Sequence, residues 1–162
     1  MKISQILVLS AAAAALSTSV SAQSLPTQKV LPFDVAQTIA QEAMNTCRAN
    51  GYKVTVTVLD TAGVVKVLLR DDGARPTTVD IGRMKANTAI AFGRPSGPPA
   101  NLPPGTPPPA PILAGTINVQ GGVPIKAGDE MIGAVSVSGA PGGDKDEACA
   151  NAGLAKVADR LK

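Results

Sequence analysis

Apolar positions recur every four residues early in the chain. Val35, Ile39, Ala43 and Cys47 share one face, which predicts an amphipathic helix. Asp34 stands before them as an N-cap with Gln37 in the third position after it, a capping-box pattern, and Gly51 stops the helix. From Lys53 to Leu59 the period changes to two: Val54, Val56 and Val58 point one way, Thr55 and Thr57 the other, which predicts a strand. Asp60–Gly63 makes a turn. Val64–Leu69 is apolar on both faces apart from Lys66, the pattern of a central strand, and completes a hairpin.

Arg70–Pro76 is a polar loop. Thr77 or Thr78 caps a second helix running to about Phe92, whose face of Val79, Gly82, Ala86 and Ala89 is small enough to lie close on a sheet or a partner helix. Ile117–Val119, Val123–Lys126 and Met131–Ser138 read as further strands, the last two an antiparallel pair turning at Ala127–Asp129. A glycine-rich turn, Gly139–Gly143, leads into a last helix that starts near Asp144 and buries Ala150, Leu154, Val157 and Leu161. This order predicts an α+β domain: a single antiparallel sheet of about five strands with helices packed on it.

Two segments stand outside that pattern. Lys2, the apolar run Ile6–Leu16 broken only by Ser10, and the small-residue site Val20-Ser21-Ala22 read as a secretory signal over residues 1–22. The run is too short to span a bilayer, which disfavours an uncleaved anchor. Cleavage after Ala22 leaves 140 of the 162 residues, sends the chain to the periplasm or outside the cell, and leaves no stable membrane insertion. Residues 23–33 form a polar leader and 34–162 the domain. Within it, residues 94–111 hold nine of the 14 prolines, a density that no regular element survives. This insert reads as a stiff surface loop or spacer.

Composition narrows the chemistry. A net charge of +3 is too small for a nucleic-acid footprint. The chain has no His, so it has no Ser–His or Cys–His nucleophile pair and no His-held zinc or haem. Dinucleotide, triphosphate and structural-zinc motifs are missing, and no metal site is expected. The candidate polar groups gather at strand ends. Arg70 and Asp72 lie where the second strand exits, and Lys85 lies one to two turns into the following helix. Gly121 and Gly122 admit a close backbone approach. Asp146 and Glu147 fall in the first turn of the last helix, whose free N–H groups can take an anion. Together they make a candidate small-ligand site in which Arg70 and Lys85 face a carboxylate and Lys85 or Glu147 is the candidate general base. Each also has a plainer role: a surface ion pair for Arg70 and Asp72, a solvated face for Lys85, a complement to the helix dipole for the two acids.

Six stretches, in order, make the sequence familiar. They are Val58-Leu59-Asp60-Thr61-Ala62-Gly63, Arg70-Asp71-Asp72-Gly73-Ala74, Lys85-Ala86-Asn87-Thr88-Ala89, Gly121-Gly122-Val123-Pro124-Ile125, Ile132 to Ala140, and Asp146 to Leu154. Over about Val35–Leu161 the chain resembles the GlcG/HbpS family, often labelled haem-degrading or haem-binding. The resemblance implies a sandwich-like α/β domain that forms homo-oligomers. It also implies a small organic or tetrapyrrole ligand, haem being the family default. Other members occur beside enzymes of small organic acids or attached to cobalamin-related enzymes. With no His, the remaining iron donors are Tyr52, Met44, Met84, Met131 and the cysteines. Three functions remain open: an exported ligand-binding protein, a non-redox enzyme acting on a small organic acid by proton transfer or hydrolysis, and a structural or regulatory oligomer. Cys47 lies near the end of the first helix and Cys149 near the start of the last. Antiparallel helices would bring them together. Compartment and count favour a disulfide, and two free thiols are the alternative.

Overall fold

The computed structural model describes residues 24–98, 103 and 113–162. The signal segment 1–22 and most of the Pro-rich insert lie outside the described residues. The elements run α1 (Phe33–Ala49), β1 (Thr55–Asp60), β2 (Val65–Arg70), α2 (Thr77–Phe92), β3 (Gly122–Ala127), β4 (Glu130–Ser138) and α3 (Gly143–Lys156), closed by a 3-10 turn, Ala158–Arg160.

The α+β architecture is the expected one, with one antiparallel sheet in the order β2-β1-β4-β3. The described sheet has four strands rather than about five. Ile117–Val119 does not join it, because side chains occupy its backbone groups. Thr88 Oγ1 accepts the Ile117 N–H at 2.8 Å and donates to Ile117 O at 2.9 Å, while Ser96 Oγ donates to Val119 O at 2.6 Å. The strand expected to be central, β2, is an edge. β1 is the central one, pairing Thr55 with both Arg70 and Ser138, and α2 packs on β1, β3 and β4. Val65 and Leu68 on β2 are therefore about two-fifths exposed. Asp34 does not cap α1. The helix begins two residues earlier than that cap implies, at Phe33 behind Pro32, and Asp34 sits in its first turn.

The two sheet faces differ in kind. One carries Val56, Val58, Val135 and Val137 against Val35, Ile39, Ala43 and Cys47 of α1 and Cys149 and Ala150 of α3. This is the main core, and full burial of each such side chain contributes roughly 1.5–3 kcal/mol. Near-contact of α1 and α3 requires Gly153, since a Cβ there would sit 2.5 Å from Ile39 O. Cys47 and Cys149 form a disulfide with Cα atoms 5.6 Å apart, 102 residues distant in sequence. The other face is small and polar: Thr55, Thr57, Ser136 and Ser138, with only Leu59, Ala86, Ala89 and Ala134 as a minor apolar cluster. α2 lies close on it at Gly82, whose Cα would carry a Cβ only 3.1 Å from Thr57 Oγ1, and Ser136 Oγ donates to Gly82 O at 2.7 Å.

Candidate functional site

A cleft lies at the end of the sheet where β4 runs out. Its volume is about 690 Å³, within the range of small-molecule sites. The first turns of α2 (Thr77, Thr78, Ile81) and α3 (Gly143, Asp146) line it from two sides. Tyr52 and Lys53 of the α1–β1 loop, Arg75, and Ser138–Pro141 complete it. Sequence pattern explains the convergence. Both helices start immediately after turns at the same end of the sheet, and their first turns close on those turns: Thr78 and Val79 donate to Arg75 O and Pro76 O, and Lys145 and Asp146 to Gly142 O. Thr78 fixes one wall, donating to Arg75 O at 2.6 Å and lying 2.7 Å from Thr55 Oγ1.

Lys85 forms the floor. It is 2% exposed although it carries a charge. Its Nζ donates to Asp146 Oδ2 at 2.7 Å and to Val137 O at 3.0 Å. Asp146 Oδ1 accepts the Ala140 N–H at 2.9 Å. The pair links α2 on the polar face to α3 on the apolar face, so it crosses the plane of the sheet just beyond the end of β3. Gly121 makes that crossing possible. Its φ is +122°, and a Cβ would stand 2.6 Å from Val137 O and 2.7 Å from Lys85 Nζ. Gly122 backs on the Lys85 main chain in the same way. Burial pushes the Asp146 carboxyl above the usual carboxylate range, while the Lys85 hydrogen bond and charge pull it back.

The structure therefore brings Lys85, Asp146, Gly121 and Gly122 together and leaves three other residues outside the cleft lining. Arg70 turns back on its own loop, donating from Nε and Nη2 to Ala74 O at 3.1 and 2.6 Å. Asp72 is exposed on that loop. Glu147 is half-buried on α3, its Oε2 without a hydrogen-bond partner among the described residues. The ion pair of this region is Arg48–Asp71, at 2.9 Å, with Lys53 3.6 Å from the other Asp71 oxygen. The Arg48 hydrogen bond holds the Asp71 carboxyl below its ordinary range.

Sequence reasoning passed over Lys53 and Arg75 as site residues. The signal for Arg75 was its place directly before a helix start, Arg75-Pro76-Thr77-Thr78. With Asp146 paired to Lys85, and Asp71 shared between Arg48 and the more distant Lys53, Arg75 and Lys53 leave the rim with net positive charge, suited to a ligand bearing carboxylates. Tyr52 adds a phenol oxygen that makes no hydrogen bond among the described residues. A cationic rim, an oxygen donor and this volume fit the acidic edge and the iron of a haem. Among the described residues no cluster of three His, Cys, Asp or Glu side chains could hold a bare metal ion, and no helix is long and apolar enough to cross a membrane.

Comparison with known proteins agrees with this fold. The family described as "Haem degrading protein HbpS-like" matches residues 31–155. A crystal structure of HbpS superposes with a TM-score of 0.72 at 32% identity, over 84% of this chain and 97% of that one. A double mutant of Streptomyces reticuli HbpS gives 0.72 at 30% identity, over 86% and 96%. PduOC in complex with haem gives 0.68 at 20% identity, over 79% and 95%, a likeness of fold alone. No curated protein matches the chain.

Proposed function

The chain belongs to the HbpS-like family, and on that premise we propose that it is an exported protein that binds haem or a related tetrapyrrole in the cleft between α2 and α3. The observation that carries this is the cleft itself: about 690 Å³, with Lys53 and Arg75 on its rim and its one acid, Asp146, already neutralised by Lys85. Tetrapyrrole carboxylates meet those cations. Ile81, Val119, Ala140 and Pro141 offer apolar contact to the ring. The haem bound to PduOC, a protein of the same fold, and the haem-related name of the family support the ligand class.

Lys85 has a structural part in this reading. Two of its three N–H donors are engaged, and its charge is held against Asp146. It shapes the floor on which the ligand rests. Export to the periplasm or beyond is supported by the signal pattern of residues 1–22 and by a disulfide, a bond that persists in oxidising compartments. The uncovered β2 edge, with Val65 and Leu68 exposed, is the surface available for homo-oligomers.

The test is a titration of the purified protein with ferric haem, followed in the Soret region, together with mass spectrometry of whatever co-purifies from the native compartment. Saturable binding with one site per chain is expected. Binding no tighter than to an unrelated protein of similar charge overturns the reading. A small organic acid found in place of a tetrapyrrole moves the assignment to that ligand class.

A further inference from the structure

Resting on the reading of the cleft as a tetrapyrrole site, we infer that Tyr52 is the residue that binds the iron. Cys47 and Cys149 are bonded to each other and buried, so neither offers a thiolate. Met44 is 2% exposed in the main core, under the opposite face of the sheet. Met131 lies at the far end of β4 from Ser138, roughly 20 Å from the cleft at the usual rise of a strand. Met84 is not part of the cleft wall. Lys85 lines the cleft but is spent on Asp146 and Val137 O, and Thr78 Oγ1 is spent on Arg75 O and Thr55.

Tyr52 differs from all of these. It is the chain's one tyrosine and it lines the cleft. Its ring is half-buried against the main core, which fixes its position. Its phenol oxygen has no hydrogen-bond partner among the described residues. The Lys145 ammonium stands 5.9 Å from the ring centroid, a positive charge beside the ring that would carry an anionic oxygen. A tyrosine phenolate is an established kind of haem-iron ligand. In coordination the phenol O–H bond breaks, the O–Fe bond forms and the proton leaves to solvent, with no change in the iron's oxidation state. Tyr52, Lys53 and Arg75 line the same cleft, so the iron and the acidic edge of one ring face residues of one site.

The experiment is resonance Raman and visible absorption spectroscopy of the purified protein loaded with ferric haem, beside its Tyr52→Phe variant. The wild type is expected to show a phenolate-to-iron charge-transfer band and tyrosinate ring modes. Tyr52→Phe is expected to lose both and to bind ferric haem at least about tenfold more weakly, equivalent to ~1.4 kcal/mol, with an unchanged circular dichroism spectrum. Haem that binds the wild type without tyrosinate modes overturns the assignment of Tyr52 and leaves the cleft reading standing. Identical spectra in the wild type and Tyr52→Phe do the same. A wild type that binds no haem overturns both. Should Tyr52→Phe not fold, the wild-type Raman spectrum alone decides, since the tyrosinate modes either appear or do not.

Discussion

Replacing Lys85 by Met removes the positive partner of a buried carboxylate while keeping the length of the side chain. Asp146 is then left 3% exposed, with the Ala140 N–H as its remaining hydrogen-bond donor. Breaking a buried pair in this way costs about 3–5 kcal/mol, a large share of the total for a domain of this size. The thermal midpoint should fall by on the order of 10 °C. The sign of the pH dependence follows from Asp146. Burial already raises its carboxyl above the ordinary value of 3.8 against the pull of Lys85, and without Lys85 the rise is larger. A raised carboxyl binds its proton more tightly in the folded state. The folded state therefore suffers no penalty below the unfolded value and the full penalty once the pH has risen through the folded one. The deficit of Lys85→Met should accordingly shrink as the pH is lowered from neutral toward 4. Adding Asp146→Leu should return most of the loss, to within about 1–2 kcal/mol of the wild type, the remainder being the unpaired Ala140 N–H. Chemical denaturation of the four proteins of this cycle at several pH values measures every term. A Lys85→Met cost below about 1 kcal/mol at neutral pH, or a double variant as unstable as the sum of the singles, refutes the reading of Lys85 and Asp146 as a buried pair that spans the sheet.

Gly121→Ala should cost about 3 kcal/mol by denaturation, from a strained backbone at φ +122° and from a methyl pressed on Val137 O and Lys85 Nζ; a cost under ~1 kcal/mol contradicts the packing described. Cys47→Ala with Cys149→Ala should lower stability by about 4–5 kcal/mol in the chain-entropy account of a loop of 102 residues. Thiol titration of the unreduced, unfolded wild type should find no reactive thiol, and two would remove the premise. Arg75→Ala should weaken haem binding by about tenfold, with a shallower dependence on salt than the wild type; equal affinity at low salt would show that Arg75 does not meet the ligand.

The periodic elements were legible because a single physical cause dominates each of them. Val35, Ile39, Ala43 and Cys47 bury one helix face and nothing competes with that. Thr55 and Thr57 alternate with Val54, Val56 and Val58 because the sheet has two unlike sides. β2 misled for an equally definite reason. Its composition is that of a central strand, but centrality is decided by which strands pair, and β4 takes the place beside β1 from more than 60 residues away. Ile117–Val119 had the composition of a strand, yet the hydroxyls of Thr88 and Ser96 had already taken its backbone groups. The floor of the cleft was half legible. Lys85 and Asp146 were singled out separately, each with a surface role as the plain alternative. Their union was hidden, since nothing in the sequence says that a lysine on one helical layer meets an aspartate on the other through the plane of the sheet.

The two faces of the sheet bear directly on where a ligand can be held. The apolar face is filled by α1 and α3, locked to each other at Cys47–Cys149 and at Gly153. Among the described elements the polar face is covered by α2, packed through small residues. Lys85, midway along α2, and Asp146, in the first turn of α3, then close the floor of the opening by a salt bridge across the end of the sheet. A cleft bounded by two helix starts follows from that tie. Its cationic character follows too, because the one carboxylate among the residues lining it arrives already paired, and Arg75 faces whatever enters, with Lys53 beside it at 3.6 Å from Asp71.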